Sequence, residues 1–346
     1  MLTILKGVGL LLLTLAVFSV FSMKAPKGSA AMSGMANAAI ASFLVEAVHK
    51  YILGDVLALE FFQVLGTTSG SLGGVAAAIT VPLAMGVNPV LAVVAGLAVG
   101  GYGILPGFIA GYVISLIVPT LEKKLPEGLD VILCALLTAP LARFLAMFVN
   151  PGVNMVLAEI GGAISAAAEQ SPLVMGFLLG GIMKMICTSP LSSMALTAML
   201  GLTGLPMGIA AVACVGGSFT NGLIFHKLKL GNRGNVIAVM LEPLTQADII
   251  TANPIPIFCS NFLGGGLAGI SAAVFGIVNN APGTASPIPG LLAPFAFNDP
   301  VKVVLAMVFA VIGGSVAGLL GGWVFQKREN TTEAVSGTQV PDAKPV

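Results

Sequence analysis

Residues 235–262 read NVIAVMLEPLTQADIITANPIPIFCSNF, and the reading of this stretch decides what kind of chain it belongs to. It is apolar enough for a membrane, yet it carries Glu242, Gln246 and Asp248 together with Pro243, Pro254 and Pro256. Pro243 biases Glu242 away from the α conformation and marks a helix boundary. Asn253 and Pro254 mark a second one, and Thr245, Gln246, Asp248 and Thr251 supply donors and acceptors between the two. Two readings fit this pattern. In one, a hairpin with broken ends sits at membrane depth, where an ionisable residue is costly and therefore functional by default. A carboxylate there would accept hydrogen bonds from polyol hydroxyls. In the other, the stretch is a loop just outside the membrane that needs only solvated polar groups.

The rest of the chain sets the solvent. Of 346 residues, 57% are hydrophobic and 8% charged, with mean hydropathy +1.02. Soluble domains average about 25% charged residues, so too little polar surface remains to cover a water-soluble globule, and lipid is the expected solvent. Backbone groups in hydrocarbon must be satisfied within a helix or a closed barrel. Long apolar runs rather than short alternating segments favour the helix. The expected fold is all-α and polytopic, with about 8–10 membrane segments including short re-entrant pieces. A net charge of +1 excludes a nucleic-acid-binding surface of the usual basic kind. The four cysteines, Cys134, Cys187, Cys214 and Cys259, lie in apolar contexts without metal-ligand spacing. No disulfide framework, metal or cofactor is expected.

Outward from the central stretch, apolar runs fall at 8–23, 75–85, 88–101, 108–118, 129–148, 172–186, 206–225, 264–278 and 301–325. The first could serve as a signal peptide with small residues at 28–31. Its weak basic n-region and the many runs behind it favour a retained helix. Asn150-Pro151-Gly152 is expected to end the 129–148 span, with a separate short helix at 156–169. The break at 187–193, Cys-Thr-Ser-Pro-Leu-Ser-Ser, leads into a short or re-entrant piece at 191–200. The GGxxxGxxGG pattern at 313–322 reads as a helix-packing face. Residues 1–325 form the expected membrane domain, with 326–346 a disordered tail. The positive-inside rule puts the tail and the basic loop around His226, Lys227, Lys229 and Arg233 in the cytoplasm.

The string LEPLTQADIITANPIPI resembles the Glu-Pro hairpin of EIIC membrane subunits of the phosphoenolpyruvate-dependent sugar phosphotransferase system, in the glucose–lactose superfamily. Glu242-Pro243 and Asn253-Pro254 match its two ends. Within that family the chain is similar to a stand-alone subgroup that includes the perfringolysin O regulator protein. The resemblance implies a scaffold part at about 1–150 and a substrate-binding part at about 151–325. It also implies a homodimer in a bacterial inner membrane that takes up a sugar or sugar-like polyol by alternating access, with separate EIIA and EIIB proteins as partners. Glu242 would bind a sugar hydroxyl, with Asn253, Thr245, Gln246 and Asp248 beside it. Thr188, Ser189, Ser192 and Asn221 are candidate cavity liners.

One departure matters. Sugar-transporting members typically carry a His in the polar break after the helix at 175–186, and the break here has none. The chain holds only His49 and His226. No phosphoryl-carrying domain is legible, so no catalytic residue is assigned, and the chain is at most the membrane component of a sugar phosphotransferase. A membrane-embedded sensor or regulator with the same fold is the alternative. A second alternative is an ion-coupled transporter of a non-sugar solute, with Glu242 or Asp248 titrating. Arg143 and Lys184 lie inside apolar spans, where they could pair with Glu159 or Glu242 or extend to the interface.

Overall fold

A computed structural model describes residues 2–126 and 129–336, and every regular element among them is helical. The chain opens with α1 (Leu2–Lys24), whose inward face is the stripe Ile4, Gly7, Leu11, Leu15, Ser19 and Ser22. That three-and-four spacing marks one side of a helix, while Leu12, Leu13, Val17 and Val20 point outward to where lipid would lie. Next, α2 (Gly28–Ala39) runs on through two π-helical segments, Ile40–Leu44 and Ala47–Val56.

Helices α3 (Glu60–Ser71) and α4 (Gly73–Met85) meet at a bend of 58°. Gly86, at φ 88°, adopts the left-handed conformation that stops α4. Asn88 then caps α5 (Pro89–Ala98), accepting a 2.9 Å hydrogen bond from the Val90 amide. Beyond it come α6 (Ile104–Glu122) and α7 (Asp130–Ala168). The expected break at Asn150-Pro151-Gly152 is absent: α7 continues through both Pro140 and Pro151 for 39 residues. A proline removes one backbone bond, a loss that membrane helices tolerate. At 1.5 Å per residue α7 is about 58 Å long, well beyond a hydrocarbon core of about 30 Å. Its first half packs with α5 and α6, and its second half packs with α1, where Gly7 lies against Ala163.

The second half of the chain holds α8 (Pro172–Cys187), α9 (Ser193–Met199), α10 (Gly204–Lys227), α11 (Arg233–Leu241), α12 (Ala247–Ala252), α13 (Pro254–Phe275), α14 (Pro287–Leu292) and α15 (Pro300–Ser336). Helices α8 and α13 cross backbone to backbone: Gly176 and Gly180 face Gly265 and Gly269, and a Cβ on any of the four would meet the opposite main chain. On α15, Gly314 approaches the Gly216 carbonyl and Gly318 lies over Thr220, so the glycine face packs against α10. Residues 337–346, the end of the expected tail, lie outside the described residues.

Seven helices among the described residues are long and apolar enough to cross a membrane, or eight if the bent α3–α4 pair is one span. Three shorter apolar helices, Pro89–Ala98, Pro172–Cys187 and Pro287–Ala296, account for the wider range expected from the sequence. Two apolar cores result. The smaller joins α4, α5, α6 and the first half of α7; the larger joins α8–α13 and α15 with α1, α2 and parts of α4, α6 and α7.

Candidate functional site

Helix α8 ends where Ser189 turns back on it. The Ser189 hydroxyl donates to the Ile186 carbonyl at 2.7 Å and accepts from the Leu191 amide at 3.2 Å. Pro190 follows, and Ser192 adopts a left-handed backbone at φ 57°. This is uncommon for a residue with a side chain.

A second break lies between α11 and α12. Asn232 and Asn235 form a reciprocal capping box at the start of α11. Nine residues later the helix stops at Glu242, extended at φ −148°, ψ 103°, the conformation that the following proline demands. A 3-10 turn, Pro243–Gln246, leads into α12. The Thr245 hydroxyl closes the corner by donating to the Glu242 carbonyl at 2.7 Å.

A third element completes the site. In the loop before α14, the Ser286 hydroxyl donates to Glu242 Oε2 at 2.8 Å, and the Ser193 hydroxyl donates to the Ala285 carbonyl. The two breaks and this loop therefore converge. Glu242 is only 5% exposed and faces a gap lined also by Phe43, Cys187, Ser189, Ser192 and Ser286. The free volume is about 10 Å³, room for about one water and far below the roughly 300–1,000 Å³ of small-molecule sites. The site is closed.

Of the residues singled out in the sequence, Glu242, Ser189 and Ser192 meet in this gap. Thr188 and Asn221 meet each other instead, behind it. The Asn221 amide donates to Thr188 Oγ1 at 3.4 Å, and Asn261 donates to Asn221 Oδ1 at 2.6 Å. All three are at most 1% exposed, so they tie α10 and α13 to the first break. Thr245 supports the corner. Gln246 is held by Asn235 at 2.6 Å, Asp248 accepts from the Ile249 amide at 2.9 Å, and Asn253 donates to the Ile249 carbonyl at 3.0 Å. None of Gln246, Asp248 and Asn253 lines the gap. Phe43 and Ser286 escaped the sequence reading, since nothing in their local context sets them apart, and Cys187, read there only as an apolar cysteine at the break, lines the gap as well.

The cations resolve differently from each other. Arg143 donates to the carbonyls of Ala98 and Gly100, at 3.3 and 2.7 Å, and stacks over Tyr102. It thus caps the end of α5 rather than pairing with an acid. Lys184 is fully buried, and among the described residues its ammonium has no hydrogen-bond partner. Its stem runs past Gly265 and Gly217. Among the described residues no group of His, Cys, Asp and Glu could hold a metal ion.

A chain of long apolar helices, with helix breaks that bury a carboxylate among hydroxyls, is a multi-pass membrane protein. It belongs to the phosphotransferase system EIIC family, whose model matches residues 29–335. It is therefore a membrane component of a phosphotransferase-type sugar transporter, a class that works with EIIA and EIIB components. No curated protein matches the chain.

Proposed function

We infer that this protein takes up a sugar or sugar-like polyol across a bacterial inner membrane by alternating access, with Glu242 as the principal hydroxyl ligand. One observation carries the reading: a buried carboxylate stands where three separate segments converge, among the hydroxyls of Ser189, Ser192 and Ser286. A polyol entering the gap would replace the Ser286 hydroxyl on Glu242 with its own. Because the gap is closed, binding requires the segments to part. The α4–α7 core is the natural scaffold against which the larger core moves. The working unit would be a homodimer served by separate EIIA and EIIB proteins.

A second reading has its own support. The break at 187–193 offers cysteine, threonine and serines but no histidine, which favours a sensor that binds the ligand without phosphoryl-coupled transport, as the stand-alone EIIC-like subgroup suggests.

Thermal unfolding of the purified full chain against glucose, galactose, N-acetylglucosamine, cellobiose, sorbitol, galactitol and ascorbate tests both. A ligand at a hundred times its dissociation constant adds about 2.7 kcal/mol to a two-state folded form. One sugar should stabilise the wild type and fail on Glu242→Gln. Equal shifts in both proteins, or none in either, would remove the Glu242 site. Uptake into proteoliposomes with that sugar then separates transporter from sensor.

A further inference from the structure

A second cavity adjoins the Glu242 gap. It lies between the bend of α3 and α4, the start of α6, the middle of α7 and the tip of the first break. Its volume is about 170 Å³, similar to the roughly 150 Å³ hole that accepts a benzene ring, so it takes one ring-sized molecule. Its polar lining comes from Ser71, Asn150, Asn154 and Ser192. Asn150 and Asn154 stand one helical turn apart on α7, and among the described residues neither amide is engaged in a hydrogen bond. Asn154 and Ser71 are exposed, so the cavity is open to the outside.

Two residues line both spaces, Phe43 and Ser192. Phe43 belongs to the π-helical segment Ile40–Leu44, a widened turn of a kind frequent at functional sites. The tip of its ring packs against Gly73, at the bend between α3 and α4. Ser192 carries the left-handed backbone. The partition between the cavities is thus one aromatic side chain and one unusual turn.

We propose that this cavity is an antechamber that receives a polyol through the amides of Asn150 and Asn154, and that Phe43 is the door between it and Glu242. The polyol assignment rests on the reading given above; the passage does not. Two unengaged amides on one helix face offer paired donors and acceptors suited to adjacent hydroxyls. An aromatic ring that swings between them and the carboxylate lets the solute keep polar partners on both sides of the step.

The native thiol of Cys187 lines the inner gap and reports on it directly. The full chain in nanodiscs would be treated with N-ethylmaleimide and Cys187 modification followed by peptide mass spectrometry. Phe43→Ala should speed modification of Cys187 at least tenfold, and Phe43→Trp should slow it. A thiol placed by Asn154→Cys should react at the same rate whichever residue stands at position 43. An unchanged Cys187 rate in both Phe43 variants overturns the door.

For the ligand, a thiol placed by Ser71→Cys, which lines the same cavity and leaves both amides in place, would be labelled in a Glu242→Gln background with each sugar of the panel above. Slowing by the sugar that stabilises the wild type supports the antechamber. No slowing, despite wild-type stabilisation, overturns the antechamber and leaves the Glu242 site standing. If no sugar acts in either assay, the polyol reading of both cavities falls, and the Cys187 rates alone decide the passage.

Discussion

Ser286 and Glu242 are 44 residues apart in sequence, and the hydroxyl of one donates to the carboxylate of the other at 2.8 Å. This bond joins the loop before α14 to the corner that ends α11, and both groups are buried. It holds the closed site together at its polar centre. A hydrogen bond contributes a net of about 0.5–1.5 kcal/mol, and more where its acceptor is charged. Ser286→Ala should therefore lower the unfolding temperature of the ligand-free protein and Ser286→Thr should restore it, both read by differential scanning fluorimetry. An alanine variant as stable as wild type would mean that the bond carries no net weight.

Lys184 predicts the opposite sign. A buried ammonium without a hydrogen-bond partner carries an uncompensated desolvation cost. Lys184→Met keeps an unbranched stem in the channel past Gly217 and Gly265 and removes the charge. Replacing an unpaired buried charge by an apolar side chain of similar shape removes that desolvation cost. The same fluorimetry should show an equal or higher unfolding temperature, and a clear drop would show that the charge has a stabilising partner.

The seam between α8 and α13 leaves no space for side chains. Gly265→Ala would meet the Gly180 carbonyl and the stem of Lys184, and overpacking of this kind costs about 1–3 kcal/mol. Gly9→Ala, where a Cβ meets nothing within 4 Å, is the matched control. Monodisperse yield on size exclusion should fall for the first and stay level for the second.

Asn221 bridges Thr188 and Asn261. Asn221→Ala removes one of the two acceptors of the buried Asn261 amide, which keeps its 2.9 Å bond to the Ile257 carbonyl, and takes away the donor to Thr188 Oγ1, at a cost of about 0.5–1.5 kcal/mol. The effect should appear as lower stability with sugar affinity nearly kept, because Asn221 supports the first break from behind. An abolished ligand shift in a well-folded variant would instead make Asn221 a contact residue.

What could be read from the sequence was local. The corner at Glu242 follows from the proline after it, and the stripe on α1 follows from spacing alone. The halt expected at Asn150-Pro151-Gly152 failed because a soluble-protein rule was applied to a helix in lipid, where a proline's missing bond is tolerated. Asn253 was read as a ligand, yet it bonds the Ile249 carbonyl within its own turn, a short-range option that competes whenever an asparagine ends a helix. Ser286 and Phe43 were invisible for a different reason. Each is an ordinary residue in an ordinary context, and only the folded path brings it to Glu242.

On the proposed uptake, the glycine seam would also set the direction in which the closed site opens. Helix α8 leads into one wall of the gap and α13 follows the other, and with main chain against main chain neither can yield sideways. Whatever parts to admit a solute must lie on the remaining sides, which belong to Phe43 and to the Ser286 loop. On the proposed uptake the four glycines would act as a hinge post: by refusing to move, they would decide where the mouth is.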